Sequence, residues 1–460
     1  MRPEGAVSPS PVEAATAAVN EYLEPMRFRS FLSRTLSSIA GAVRHSGFAA
    51  LLLLGGTARA DRLLIPMDLT QTDHLKAYGI AYLSLASGHT AEWLLNYRGG
   101  SFLLEDAGTL KREAAKRGVL FERVSEAGLD RLYAEIEAGN MDKVQLEKAP
   151  RIAVYTPLTK QPWDDAVTLA MTYAEIPYTK IYDREIIEGK LSQYDWLHLH
   201  HEDFTGQYSK FYASFNSAPW YVNQVAANEK LASELGFRNN VMLKKAVALA
   251  IRDYVEKGGF LFAMCLATAT LDMALAAAKT DAVDAVYDGT PPSPGLKHEL
   301  DYNLSLAFSG FSFDTDPLSP SHGDLDYNQV NRNSLKRRTA NNFVLFDFSP
   351  KYDPVPAMLC QNHTDLVKGF FGLTTSFPTE LVKKSVSVLA KADGQDAVRY
   401  LHGNIGQGQF TYYGGHDPED YSHAVGDPPT DLALHKNSPG YRLILNNVLY
   451  PAARQKKRKT

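Results

Sequence analysis

Between Arg151 and Lys279 short apolar runs alternate with longer segments of helical periodicity, and this alternation limits the fold more than any other feature of the chain. Ile152-Ala153-Val154-Tyr155 reads as a strand and residues 164–174 as a helix. Residues 178–182 and 194–200 read as two further strands. Residues 241–256 form an amphipathic helix stopped by Gly258-Gly259. Phe260–Met264 is a buried strand that runs into Cys265 and a helix over 268–279. Strands alternating with helices imply an α/β fold with a parallel sheet. A smaller βαβαβ pattern precedes it: strands at 63–66, Ala91–Leu95 and 119–124, and helices at 73–87 and 110–117. The same rule predicts a small parallel sheet there. Residues 126–150 read as a charged, helical linker ending at Lys148-Ala149-Pro150.

Toward the C-terminus, residues 288–340 are rich in Pro, Ser, Asp and Asn and read as an irregular insertion. Residues 398–402 and 409–413 read as a hairpin across 404–408, and 441–449 as a closing helix. The expected organisation is an extension and signal peptide over 1–60, a small α/β unit over 61–150, the larger α/β domain over 151–451 and a basic tail over 452–460.

Composition excludes several function classes. A net charge of −4 on 460 residues offers no basic field for nucleic acid. Two cysteines make neither a disulfide framework nor a thiolate zinc finger. There is no Walker motif and no GxGxxG, so no nucleotide phosphate loop is expected. Arg27, Arg29, Arg34 and Arg44 flank an apolar core over 47–56, followed by Ala58-Arg59-Ala60 with small residues at −3 and −1. That is the pattern of an export signal cleaved after Ala60. Its core of about 10 residues is half of what a spanning helix needs. The expectation is a periplasmic or secreted bacterial protein with no stable membrane insertion once the signal is removed.

Four constellations could carry chemistry. The first is the strand–Cys265–helix junction, the setting of a nucleophile elbow. Its turn exposes the side chain, and the helix N-terminus supplies N–H donors at Leu266 and nearby. The competing reading is a packed structural cysteine. The second is Gly414-Gly415-His416-Asp417-Pro418-Glu419-Asp420, just past a strand end. There His416 suits a base, oriented by Glu419 or Asp417. The competing reading is a Gly/Asp/Pro turn. The third is His198-Leu199-His200-His201-Glu202-Asp203. His198 and His200 share one side of a strand, and His201 and Glu202 sit at its carboxyl end, where open sheets bind ligands. The residue types suit zinc, iron or manganese, contacts to a small-molecule or carbohydrate-like ligand, or a hydrogen-bonded strand end. The fourth is Cys360-Gln361-Asn362-His363-Thr364, read as a pocket wall carrying His363 or as an ordinary polar loop. Cys360 could instead pair with Cys265.

The elbow at Cys265 and the late His416 resemble the class I glutamine amidotransferase-like superfamily over residues 151–450. Gly406 to Gly408 followed by Gly415-His416-Asp417 is similar to its ThuA-like branch. The runs Ile65-Pro66-Met67-Asp68, Gln71 to Gly79, Leu94 to Ser101, His198 to Gly206 and Gly415 to Asp431 resemble exported bacterial proteins labelled asparagine synthetase B. The resemblance implies a flavodoxin-like three-layer fold and a Cys–His site. It also implies either an amidase-like hydrolase or a non-catalytic or metal-assisted carbohydrate-binding protein. Hydrolytic members place Glu two residues after His, where this chain has Pro418, and their elbow glycines are Ala263 and Ala267 here. Residue 2 is Arg and there is no Ser-Gly-Gly-x-Asp-Ser loop, so the amide synthetase that the label implies lacks its parts.

Overall fold

The computed structural model describes residues 61–157, 165–327, 341–422 and 428–454. The signal peptide expected over 27–60 lies outside them, as do 328–340 of the insertion and most of the basic tail.

The N-terminal segment builds one sheet from β1 (Arg62–Ile65), β2 (Ala91–Leu95), β3 (Ser101–Glu105), β4 (Glu122–Val124) and β5 (Asp142–Leu146), in the order β4-β1-β3-β2-β5. Every pair is antiparallel, not parallel as the alternation implied. The cause is β3, which the sequence reading missed. It follows β2 after only Asn96–Gly100, where Asn96, Arg98, Gly99 and Gly100 all take positive φ, so the chain reverses at once. A connection that short cannot make a parallel crossover. β3 then inserts between β1 and β2 and reverses both neighbours. Residues 126–150 are also not a linker: they hold a helix, Glu126–Ala138, and β5, which pairs with β2 through buried Val144 and Leu146.

The chain changes sheet between Leu146 and Ile152. The second sheet contains β6 (Ile152–Tyr155), β7 (Thr179–Ile181), β8 (Trp196–Leu199), β9 (Phe260–Met264), β10 (Phe343–Leu345), β11 (Leu366–Val367), β12 (Phe377–Pro378), β13 (Ser387–Ala392), β14 (Ala397–Ile405) and β15 (Gly408–Tyr413). Its order is β11-β10-β13-β14-β15-β9-β8-β6-β7, with β12 against β14. The strands β7, β6, β8, β9 and β15 run parallel. Beyond β15 every pairing is antiparallel, beginning with the tight β14–β15 hairpin turned at Gly406-Gln407. The sheet is therefore mixed, where the alternation alone implied a parallel one.

Alternate residues of the parallel strands feed two cores. Ile152, Val154, Trp196, Phe260 and Phe262 join α1 (His74–Ala86), α2 (Ala166–Ala174) and, through Leu443 to Val448, the C-terminal helix Pro439–Leu449. Ala153, Tyr155, Leu197, Leu199 and Leu261 join α3 (Asn240–Glu256) and α4 (Cys265–Ala276) on the opposite face. Both faces are covered, as buried parallel strands require. Because α1 packs into the first of these cores, the N-terminal segment and the larger sheet share that core and belong to one compact unit. The order reverses between β6 and β8. That reversal opens a crevice at the strands' carboxyl ends, where open α/β sheets take ligands. No helix among the described residues is long and apolar enough to cross a membrane.

Candidate functional site at the carboxyl rim

Register alone brings three groups to this rim. Leu199 faces Ala263, and Met264 faces Tyr413. The next residues along β8, β9 and β15 therefore emerge side by side: His200, Cys265 and Gly414 to His416. Backbone bonds lock them together. Cys265 N–H donates to Gly415 O at 3.1 Å, and Ala267 N–H donates to His200 O at 2.9 Å. Gly415 sits at φ +101, and a Cβ there would lie 2.3 Å from the Phe370 ring, so no larger residue could carry His416 into this position.

Cys265 takes φ +50, a left-handed conformation that costs a non-glycine residue about 1–3 kcal/mol. It is fully buried, and its Sγ accepts from Leu373 N–H at 3.2 Å. Burial pushes the thiol up to about 11, against the opposing pull of N–H groups at Thr374, Leu373 and Leu266. Both cysteines are free thiols, so the alternative pairing of Cys265 with Cys360 is not formed. Cys360 Sγ instead lies 3.8 Å from Leu389 O.

The histidines form a chain whose proton positions follow from one carbonyl. His198 Nδ1 lies 3.0 Å from Phe262 O, which can only accept, so the proton is on Nδ1 and Nε2 holds a lone pair. His200 Nδ1, 3.2 Å from that nitrogen, must then donate, which leaves a lone pair on His200 Nε2. His416 Nδ1, 2.9 Å away, donates in turn, and the last lone pair falls on His416 Nε2. Burial outweighs the neighbouring Asp165 carboxylate and lowers His198, which disfavours a second proton on its imidazole. Asp165 stands beside the chain, with Oδ1 3.4 Å from His200 Nδ1 and Oδ2 3.6 Å from His198 Nε2. Burial alone would raise its carboxyl, but the two imidazoles hold it well below the usual range. The same carboxylate caps α2, accepting from Val167 N–H at 2.8 Å and Thr168 N–H at 2.9 Å.

The acids near His416 are engaged elsewhere. Glu419 accepts from Tyr421 at 2.7 Å and lies 3.1 Å from His435, and Asp417 Oδ1 accepts from Glu419 N–H at 2.9 Å. His416 Nδ1 is thus partnered by an imidazole from another strand. Glu202 turns back to accept from His200 N–H at 3.0 Å, and burial pushes its carboxyl up to about 7. Burial opposes ionisation of Asp203, but the His322 ring at 2.7 Å, Thr205 and Ser209 N–H outweigh it and bring Asp203 to about 2. Asp203 thereby anchors Tyr208-Ser209-Lys210, all three left-handed.

Two clefts open here. Pro157, Tyr182, His201, Glu202, Asp203 and Lys244 line the crevice at the order reversal. Leu266, Met273, His322, Asp326, Leu373 and Thr374 line a second beside Cys265, and Ser209 borders both. His363 is in neither: it stacks on His74, with ring centroids 4.6 Å apart. The sequence reading missed Asp165, His322 and the Leu373 amide. Asp165 before an apolar periodic run signals a helix cap, but nothing in the sequence points it at His200.

No protein-family model matches the chain, and none of the curated proteins matches it in sequence. Solved structures with some likeness include Cytoplasmic Protein STM3548 from Salmonella typhimurium, 10% identical, covering 66% of this chain and 100% of that one at a TM-score of 0.31. Cytoplasmic Protein STM1381 from Salmonella typhimurium LT2 is 12% identical and covers 66% of this chain and 99% of its own at 0.30. Gan42B, a GH42 beta-galactosidase, is 13% identical over 59% of this chain and 28% of its own at 0.27. Likeness at this level carries no argument about function.

Proposed function

We propose that the chain is an exported cysteine-dependent hydrolase acting on an amide or related acyl group. We further propose a flavodoxin-like three-layer architecture and kinship with the ThuA-like branch of the class I glutamine amidotransferase-like superfamily. One observation carries the reading: Cys265 holds φ +50 at a strand–helix junction while its sulfur accepts from a backbone amide. A strained residue type at that point is the signature of a nucleophile presented to a ligand. The lone pair assigned to His416 Nε2 makes this ring the base. It takes the Sγ proton as sulfur adds to the acyl carbon, returns it to the leaving amine, and then draws a proton from the water that cleaves the thioester. His200 orients His416, and Asp165 stands behind His200. The N–H groups of Leu266, Leu373 and Thr374 supply donors for the oxyanion.

Iodoacetamide labelling of the folded chain tests this. Cys265 should react at least about tenfold faster than Cys360, and His416→Asn should abolish the preference. Labelling of Cys265 no faster than Cys360 would overturn the reading. A second reading, a carbohydrate-binding protein in which Cys265 only packs, rests on the polar crevice lined by Tyr182, Glu202, Asp203 and Lys244. Saturable sugar binding by a chain whose Cys265 stays unlabelled would favour it.

A further inference from the structure

His200, His201 and His416 each bring a ring nitrogen within 4.8 Å of the others, and all three rings are buried. The rings are tilted rather than stacked. His200 meets His416 at 70° with centroids 4.3 Å apart, His200 meets His201 at 61° and 5.4 Å, and His201 meets His416 at 43° and 5.8 Å. Planes inclined in this way can direct nitrogen lone pairs at one point, which a stack cannot. Two different strand ends supply the three rings, so their convergence is a product of the fold and not of local spacing.

A second feature is independent of the cluster. The Asp165 carboxylate lies 3.4 Å from His200 Nδ1, on the far side of the ring from the nitrogen that faces His416. A carboxylate on the outer nitrogen of an imidazole fixes its tautomer, orients the ring and raises the basicity of the inner nitrogen, as it does behind metal-bound histidines. The geometry points to a site for a divalent transition-metal ion of the zinc type, held by His200 Nε2, His416 Nδ1 and a ring nitrogen of His201. Imidazole donors suit zinc, cobalt or nickel, whereas calcium and magnesium take oxygen.

One separation can be compared directly with a bound ion. Nitrogens bound at about 2.0–2.1 Å in a tetrahedral shell lie about 3.4 Å apart. The His200–His416 separation of 2.9 Å therefore opens by about half an ångström as the ion enters. His416 Nδ1 must then give up its proton, and the ring carries one on Nε2 instead. The fourth position is left for water from the crevice that His201 helps to line. Metal binding withdraws the lone pair on His416 Nε2, so a loaded site cannot serve as base for Cys265. The inference does not need that chemistry: the three imidazoles bind whether or not Cys265 reacts.

Titration of the full-length, untagged chain with Co²⁺ reads the site directly. One equivalent should produce the visible absorption of tetrahedral cobalt, and Zn²⁺ should displace it. His201→Ala should weaken binding at least tenfold, as should the more conservative His201→Gln, with circular dichroism confirming the fold of each. Asp165→Asn should weaken it by about tenfold. Cys265→Ser should bind as the unaltered chain does, and this separates the inference from the hydrolase reading, whose test needs only Cys265 and no metal. Absence of a tetrahedral spectrum, a spectrum unchanged in both His201 variants, or its loss in Cys265→Ser would overturn the site.

Discussion

Two groups of imidazoles in this molecule sit beside charges of opposite sign. At the rim, His198, His200 and His416 form a chain alongside the Asp165 carboxylate. Where the N-terminal sheet meets the C-terminal helix, His74 and His363 stack at 17° against the guanidinium of Arg442, whose Nη1 lies 3.1 Å from His363 Nδ1. Burial and Arg442 together push His74 down to about 4 and His363 to about 3. A cation beside an imidazole excludes the second proton and leaves a neutral, packed ring. An anion beside an imidazole stabilises N–H donors and can accommodate a cation, whether a proton or a metal ion. The same residue type is thus cement in one place and a candidate site in the other, and the neighbouring charge decides which.

The largest effect that tests this contrast is removal of Arg442. Its guanidinium is fully buried and donates to Met67 O at 3.0 Å and Gly99 O at 2.7 Å, tying the N-terminal sheet's loops to the C-terminal helix. Arg442→Leu leaves both carbonyls without that donor, and a loss of about 3–5 kcal/mol is expected from urea unfolding. A loss under about 1 kcal/mol would show that the seam is held by apolar contact alone.

Acidity is the next lever. An ordinary histidine has a pKa near 6.5, so between pH 6.5 and 4 the unfolded chain binds protons that folded His74 and His363 refuse. Their contribution is fully present above about pH 6.5 and is lost as pH falls toward their folded values. Each imidazole can contribute at most about 1.4 kcal/mol per pH unit, and less for His363, which is only half-buried. Between pH 7 and pH 5, His363→Phe, which keeps a stacked ring without a titration, should lose about 1–2 kcal/mol less stability than the unaltered chain. Equal losses would place the acid sensitivity elsewhere.

Sequence patterns exposed the rim better than the seam, for a physical reason. Parallel strands buried on both faces are continuous apolar runs, so Phe260–Met264 and the strand around Trp196 stood out. Cys265, His200 and His416 could be recognised because each directly follows such a run or its hairpin partner. The antiparallel character of the N-terminal sheet was hidden, since a helix between two strands looks alike in sequence whether or not a third strand inserts between them. β3 was lost behind Gly99-Gly100 for that reason. Partners across the sheet were hidden too. Asp165 is a helix cap in sequence, and only folding brings it to His200. The Leu373 amide is a backbone group that leaves no trace in residue type. His363 looked like a pocket residue because its neighbours are polar, yet its surroundings come from Arg442 and His74, far away along the chain.

Asp165 offers the smallest and most discriminating test, because its two duties can be separated. As a cap it accepts from Val167 and Thr168 N–H, and as a charge it faces His198 and His200 at 3.4–3.6 Å. Asparagine caps a helix about as well as aspartate, whereas alanine costs about 1 kcal/mol. The two imidazoles hold the Asp165 carboxyl well below the usual range, so its charge is stabilised in the fold and is lost in asparagine. Asp165→Asn should therefore fall about 1 kcal/mol below the unaltered chain, and Asp165→Ala about 1 kcal/mol below the asparagine variant in urea unfolding. Should asparagine cost nothing, the cap alone accounts for Asp165. The carboxylate would then do no electrostatic work at the rim, and the contrast with the Arg442 seam would be one of packing and not of neighbouring charge.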